Sequence, residues 1–186
     1  GAYQIPTDEP AMQEFKDKPW PQKAKILAAM IRMIDRHVGE VLKLLKDLDI
    51  DDNTIVFFCS DNGGSRTFDN FFESNGPFRG EKTTLYEGGL RIPLIARAPG
   101  KIAPSTTSDL PCYFPDVMPT IAELTGATQH LPKDIDGLSI APTLTNRPNL
   151  QKIHQYLYWE YPKYDWSKKR YVPTGPQQAI RLGKFK

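Results

Sequence analysis

Cysteine is nearly absent from this sequence: Cys59 and Cys112 are the two examples in 186 residues. Neither has a second cysteine nearby, which excludes a CxxC metal knuckle or thiol redox motif and leaves the compartment open. Histidine is equally scarce. His37, His130 and His154 fall in no HExxH or comparable ligand spacing, and none is assigned a catalytic role. No apolar run approaches the ~20 residues needed to cross a bilayer, so no membrane span is expected. Charge of one sign is missing too. With 24 Lys and Arg against 22 Asp and Glu, the net +2 is too small for the basic footprint that nucleic acid requires. Internal repeats, low-complexity tracts and the GxGxxG and GxxxxGK[ST] phosphate loops are not found. The chain opens on Gly1-Ala2-Tyr3, without an initiator Met or signal peptide, and closes on Ala179 to Lys186, a strand approaching a turn; continuation beyond both ends is expected.

What is present reads as a globular chain. Hydrophobic residues make up 39% and charged residues 25%, and a chain of this length hides roughly 70% of its unfolded surface. After a polar, proline-containing lead-in, Ile26, Met30, Met33, Ile34, Val38, Val41, Leu42 and Leu45 recur at helical spacing and predict a helix over Pro21 to Lys46. The run Thr54 to Cys59 is β-branched and aromatic and apolar on both faces, as in a buried central strand with Cys59 as a core thiol. Ser65 to Gly89 has no sustained period and reads as a functional loop. A second strand is expected over Arg91 to Arg97, then a helix capped by Asp116 and stopped by Gly126. Gln155 to Tyr161 and Gln178 to Leu182 read as strands of a smaller antiparallel sheet. Tyr156, Tyr158, Trp159 and Tyr161 there suit strand packing better than a sugar-stacking surface. This order predicts an α/β fold, with residues 1–150 in the α/β domain and 151–186 opening a small C-terminal subdomain.

Chemistry concentrates beyond the first strand. In open α/β sheets ligands bind just past strand ends, and Asp61-Asn62-Gly63-Gly64 places a carboxylate and an amide oxygen there. Such hard oxygen donors suit calcium or magnesium, although the same run makes a plain turn. Lys82, twenty residues after Asn62, carries a compact cation that can face a tetrahedral oxyanion, and Arg79 can add a forked pair of donors; taken singly, each reads first as a solvated loop cation. Glu87 and Arg91, four apart, read as structural partners.

Taken together, Asp52 to Gly64, Ser74 to Lys82, Leu85 to Pro93, Arg97 to Gly100, Asp116 to Ile121, Asp136-Gly137, Trp159-Glu160 and Gln178 to Gly183 resemble, in order and spacing, the sulfatase family of the alkaline phosphatase superfamily. The flavour of the loop from Phe71 to Lys82 resembles bacterial arylsulfatase A-like enzymes. The resemblance implies part of an alkaline-phosphatase-like α/β/α layered sheet and hydrolysis of a sulfated carbohydrate or an aryl sulfate. It implies Asp61 and Asn62 as calcium ligands and Lys82 as the sulfate contact, while Arg79 is a further substrate-binding candidate on its own forked donors. A hydrated formylglycine, made from Cys or Ser in a C/S-x-P-x-R motif, would be the nucleophile. Cys59 is followed by Ser-Asp-Asn and Cys112 by Tyr-Phe-Pro, so neither begins that motif, and the nucleophile is expected outside this chain. Little or no turnover is then expected of the chain alone. Two alternatives stay open: a phosphomonoesterase or phosphonate ester hydrolase of the same superfamily, and a non-catalytic glycan-binding module. Location in the periplasm or cell exterior is a further expectation of the resemblance; oligomeric state is not readable.

Overall fold

A computed structural model describes residues 5–6, 8–162, 164–165, 167–172 and 177–186. The chain divides into two compact units, residues 1–54 with 59–94, and residues 55–58 with 95–186.

In the first unit, a short helix α1 (Pro10–Phe15) precedes the long α2 (Gln22–Asp47). Sequence periodicity does not announce α1. Its start is set by Pro10 in the first turn and by Glu9, whose carboxylate accepts from the Ala11 amide at 3.3 Å. Small residues let the two helices approach, with Ala11, Ala24 and Ala29 buried. Ion pairs fix their register: Arg36 to Glu9 at 2.9 Å and Arg32 to Glu14 at 3.1 Å. Both pairs lie at the surface, where screening by water leaves such contacts a small share of the stability. The expected helix is present, yet part of its apolar surface is not core: Ile34, Val41 and Leu44 are 50–54% exposed.

Strand β1 (Val56–Cys59) and strand β2 (Leu94–Arg97) form a two-stranded sheet. The expectation of a fully buried central strand fails, because Phe58 and Cys59 are exposed. With one hydrogen-bonded neighbour among the described residues, the strand has no further strand to cover it. Cys59 is accordingly an exposed free thiol rather than a core one. Between the strands lie the loop and a single helical turn, α3 (Glu87–Leu90).

The second unit is organised around Asp116, 1% exposed at the end of a 3-10 turn. Its carboxylate does not cap α4 (Val117–Thr125) as expected. Instead it accepts from the Tyr113 amide at 3.0 Å and the Leu138 amide at 2.7 Å, and meets His154 Nε2 at 2.8 Å. A buried carboxylate must be satisfied by several donors, and these come from three separate segments. Thr120 adds a second stitch: its hydroxyl donates to the Asp116 carbonyl at 2.6 Å and accepts from the Ile140 amide at 2.9 Å, just before α5 (Ala141–Leu144). Gly126 ends α4 in the left-handed region, as its sequence position predicts.

In place of the single smaller sheet expected, four short strands form two separate two-stranded antiparallel sheets: β3 (Leu157–Tyr161), β4 (Tyr164–Asp165), β5 (Arg170–Tyr171) and β6 (Gln177–Arg181). Here β3 pairs with β6, with Trp159 opposite Ala179, and β4 pairs with β5. Leu157, Trp159 and Tyr161 share the more buried face, while Tyr158 and Glu160 face solvent. Part of the proline-rich stretch from Pro162 to Pro176 lies outside the described residues. No helix among the described residues is long and apolar enough to cross a membrane.

Candidate functional site

Every candidate site residue lies in the first unit. After β1 the chain turns through Ser60 to Gly64, where the Ser60 hydroxyl donates to the Asn62 carbonyl at 2.9 Å. Asp61 is exposed and Asn62 half-buried. The loop that leaves this turn comes back to it. The Lys82 amide donates to the Gly64 carbonyl at 3.0 Å, and the Gly63 amide to the Gly89 carbonyl at 3.0 Å. Residues separated by about twenty positions are thereby joined by backbone bonds, so Lys82 begins its side chain one hydrogen bond away from the residue two beyond Asn62.

Close approach of bare backbone makes this possible. A Cβ on Gly63 would lie 1.8 Å from the Gly88 carbonyl oxygen, and one on Gly88 would lie 2.2 Å from the Gly80 carbonyl oxygen. The paired glycines thus stack three backbone segments where no side chain fits.

Lys82 sits at the second position of a tight turn closed by the Thr84 amide on the Glu81 carbonyl at 3.0 Å. The Thr84 hydroxyl reinforces it, donating to that carbonyl at 2.7 Å and accepting from the Glu81 amide at 3.1 Å. Thr83 adopts φ 74°, a left-handed conformation costly for a β-branched residue, about 1–3 kcal/mol. The turn holding the lysine is therefore imposed by its surroundings and not by local preference.

Charges nearby are sorted into committed and free. Glu81 pairs with Arg66, and Glu87 with Arg91 at 2.6 Å, the structural pair expected from their spacing. Arg79 lies over the Tyr86 ring at 4.1 Å, which engages the face of its guanidinium and leaves its edge donors. Asp61, Asn62 and Lys82 have no side-chain hydrogen bond or ion pair among the described residues. An uncommitted carboxylate, amide and ammonium thus stand on segments joined by backbone bonds.

Whether calcium fits is decided by the donors. A carboxylate and an amide oxygen are the right type, but calcium takes 6–8 oxygens. Among the described residues no group of three His, Cys, Asp or Glu could hold a metal. Asp61 and Asn62 therefore suit part of a coordination shell, not all of it.

Two features escaped the sequence. Phe71 and Phe72 anchor the loop by packing on Trp20, with ring centroids 5.9 and 5.2 Å away, and Trp20 stacks on Phe15 at 5.8 Å. Two adjacent phenylalanines in a polar loop were the available signal. The second is Asn75, whose amide bonds Gly64 and Gly80.

A family model described as Sulfatase matches residues 4–127, and one described as N-sulphoglucosamine sulphohydrolase, C-terminal, matches residues 78–181. The chain belongs to the sulfatase family. It is 39% identical over 74% of its length to a "Sulfatase" of Formosa agariphila, of which it covers 26%. Against human N-acetylgalactosamine-6-sulfatase it is 41% identical over 61% of its length, covering 22% of that protein. Among solved structures, Ps i-CgsB, crystallised with k-i-k-neocarrahexaose, has a TM-score of 0.76 at 25% identity over 98% of this chain and 37% of that one. A Bacteroides thetaiotaomicron structure described for glycosaminoglycan metabolism has a TM-score of 0.74 at 24% identity, with coverage of 98% and 40%. The sulfatase chain thus has part of the alkaline-phosphatase-like α/β fold, and spans about a quarter of the curated relatives it matches.

Proposed function

We propose that this chain supplies the cation- and sulfate-binding half of a sulfatase that hydrolyses sulfate esters of carbohydrates, its nucleophile lying outside the chain. The observation that carries the reading is the backbone bond from Lys82 to Gly64, which joins the lysine loop to the Asp61–Asn62 turn. Asp61 and Asn62 would hold calcium as two of its oxygen ligands. Calcium, when bound, draws negative charge from the sulfuryl oxygens. Lys82 adds a fixed positive charge toward the same group as the ester S–O bond is attacked, and Arg79 offers further donors. A formylglycine hydrate is proposed as the attacking group, on the strength of family membership. Neither Cys59 nor Cys112 begins the motif from which it is made.

A carbohydrate substrate is supported by the relatives' own names, N-acetylgalactosamine-6-sulfatase and the Bacteroides thetaiotaomicron "Endo-4-O-sulfatase", the latter 36% identical over 61% of this chain and covered over 21% of its own length. We further propose a periplasmic or extracellular location, where polymeric sulfated glycans are met.

The test uses the full-length enzyme with 4-methylumbelliferyl sulfate. Asp61→Ala should lose bound calcium and turnover together. Lys82→Ala should cost about 10²–10³ in kcat with little change in melting temperature, because an exposed loop lysine adds little to folding. Normal calcium content and turnover in Asp61→Ala would defeat the assignment.

A further inference from the structure

One half-buried side chain spans the two segments that carry the candidate site. The Asn75 Oδ1 accepts from the Gly64 amide at 2.7 Å. Its Nδ2 donates to the Gly80 carbonyl at 3.1 Å, with a longer contact of 3.4 Å to the Gly64 carbonyl. That Gly64 carbonyl is also the acceptor of the Lys82 amide. An asparagine amide has two donor hydrogens and two acceptor sites, so three of its four capacities are spent on this backbone. Little is left with which to touch a substrate. The amide instead fixes how far the Asp61–Asn62 turn stands from the segment that enters Lys82.

We infer that Asn75 is a positioning residue for sulfate-ester hydrolysis, acting through Lys82 by clamping the Gly64 turn to the Gly80–Lys82 segment. The inference rests on the sulfatase role proposed above for Lys82. Its physical basis is that displacing a catalytic group by about 1 Å can cost 10²-fold in rate. Aspartate at position 75 would keep the acceptor for the Gly64 amide. It would place a carboxylate oxygen where Nδ2 now donates, facing two carbonyl oxygens. Alanine would remove both halves of the clamp.

The experiment compares Asn75→Asp, Asn75→Ala, Lys82→Ala and the double variant Asn75→Asp/Lys82→Ala in the full-length enzyme. Readouts are kcat and KM on 4-methylumbelliferyl sulfate, and melting temperature. Asn75→Asp should lower kcat about 10–100-fold with KM within a few-fold. Its effect should vanish in the Lys82→Ala background, because a residue that acts through another has nothing left to position. Additive losses in the double variant would overturn the inference, as would kcat of Asn75→Asp within about twofold of wild type. Failure of both Asn75 variants to fold would overturn it as well, by making the side chain a stability element. The two readings separate cleanly: normal turnover in Lys82→Ala removes the role of Lys82 and this inference with it. A dead Lys82→Ala beside ordinary Asn75 variants removes this inference alone.

Discussion

Gly63→Ala perturbs the joint on which the site depends without touching a charged group. The new methyl would stand 1.8 Å from the Gly88 carbonyl oxygen and 3.1 Å from the Gly89 Cα. Both neighbours are backbone, so neither can swing aside as a flexible side chain would. Relief requires the two segments to separate by about 1 Å or more, since carbon–oxygen contacts below roughly 3 Å are strongly repulsive. That movement strains the Gly63–Gly89 bond directly and the Lys82–Gly64 bond beside it, both 3.0 Å in length. Overpacking of this kind costs about 1–3 kcal/mol, and one weakened hydrogen bond about 0.5–1.5 kcal/mol. The expected loss is about 2–4 kcal/mol, within reach of a domain stability of about 5–15 kcal/mol, so the variant should fold. Activity should suffer more, by about 10²-fold in kcat/KM, because the lysine turn is carried away from Asp61 and Asn62. Urea denaturation and turnover of 4-methylumbelliferyl sulfate by the full-length enzyme measure the two effects. Wild-type kcat/KM together with an unchanged denaturation midpoint would refute the packing argument. A lowered midpoint with wild-type kcat/KM would refute the link from packing to catalysis.

The remaining predictions concern the second unit and the thiols. Asp116→Ala leaves donors from Tyr113 and Leu138, and the His154 ring, without their buried acceptor; at about 1–3 kcal/mol each the midpoint should collapse. Asp116→Asn, which keeps one acceptor oxygen, should lose less; equal losses would show that the carboxylate's second oxygen contributes nothing. Burial, and then the charge of Asp116, raise the pKa of Cys112, so its thiolate forms only at more alkaline pH than an ordinary thiol's. Cys59 is exposed and should be alkylated by iodoacetamide first, with Cys112 following as pH rises; the reverse order on peptide mapping would contradict the burial. The native state holds the Cys112 proton more tightly than the unfolded chain does. Stability therefore falls as pH climbs from the ordinary thiol value toward the raised one, and Cys112→Ser should flatten that part of the stability–pH curve.

How much could be read beforehand follows the range of each interaction. Asp61, Asn62, Arg79 and Lys82 stand out as candidates by residue type, and it is the resemblance to sulfatases that gives Asp61, Asn62 and Lys82 roles. The Glu87–Arg91 pair follows from i,i+4 geometry alone. By contrast, the His154–Asp116 contact spans 38 residues and leaves no periodic trace. The same holds for Asn75, whose partners are backbone groups that no residue type advertises. Asp just before a helix predicts a side-chain cap, and Asp116 does not make one. A closer competitor, the 3-10 turn beginning at Tyr113, took one of its oxygens.

The exposed strand β1 marks a different limit. Its composition is apolar on both faces, which in a parallel or central strand reports cover from neighbouring strands and from helices on each side. Here β2 is the one partner among the described residues, and Phe58 and Cys59 remain exposed. Likewise α2 keeps Ile34, Val41 and Leu44 half exposed along one stripe. Hydrophobic pattern encodes the surroundings a segment is built for, whereas burial measures those it has. Where the two disagree in both a strand and a helix, the pattern describes more cover, on the strand's faces and along the helix stripe, than the described residues provide.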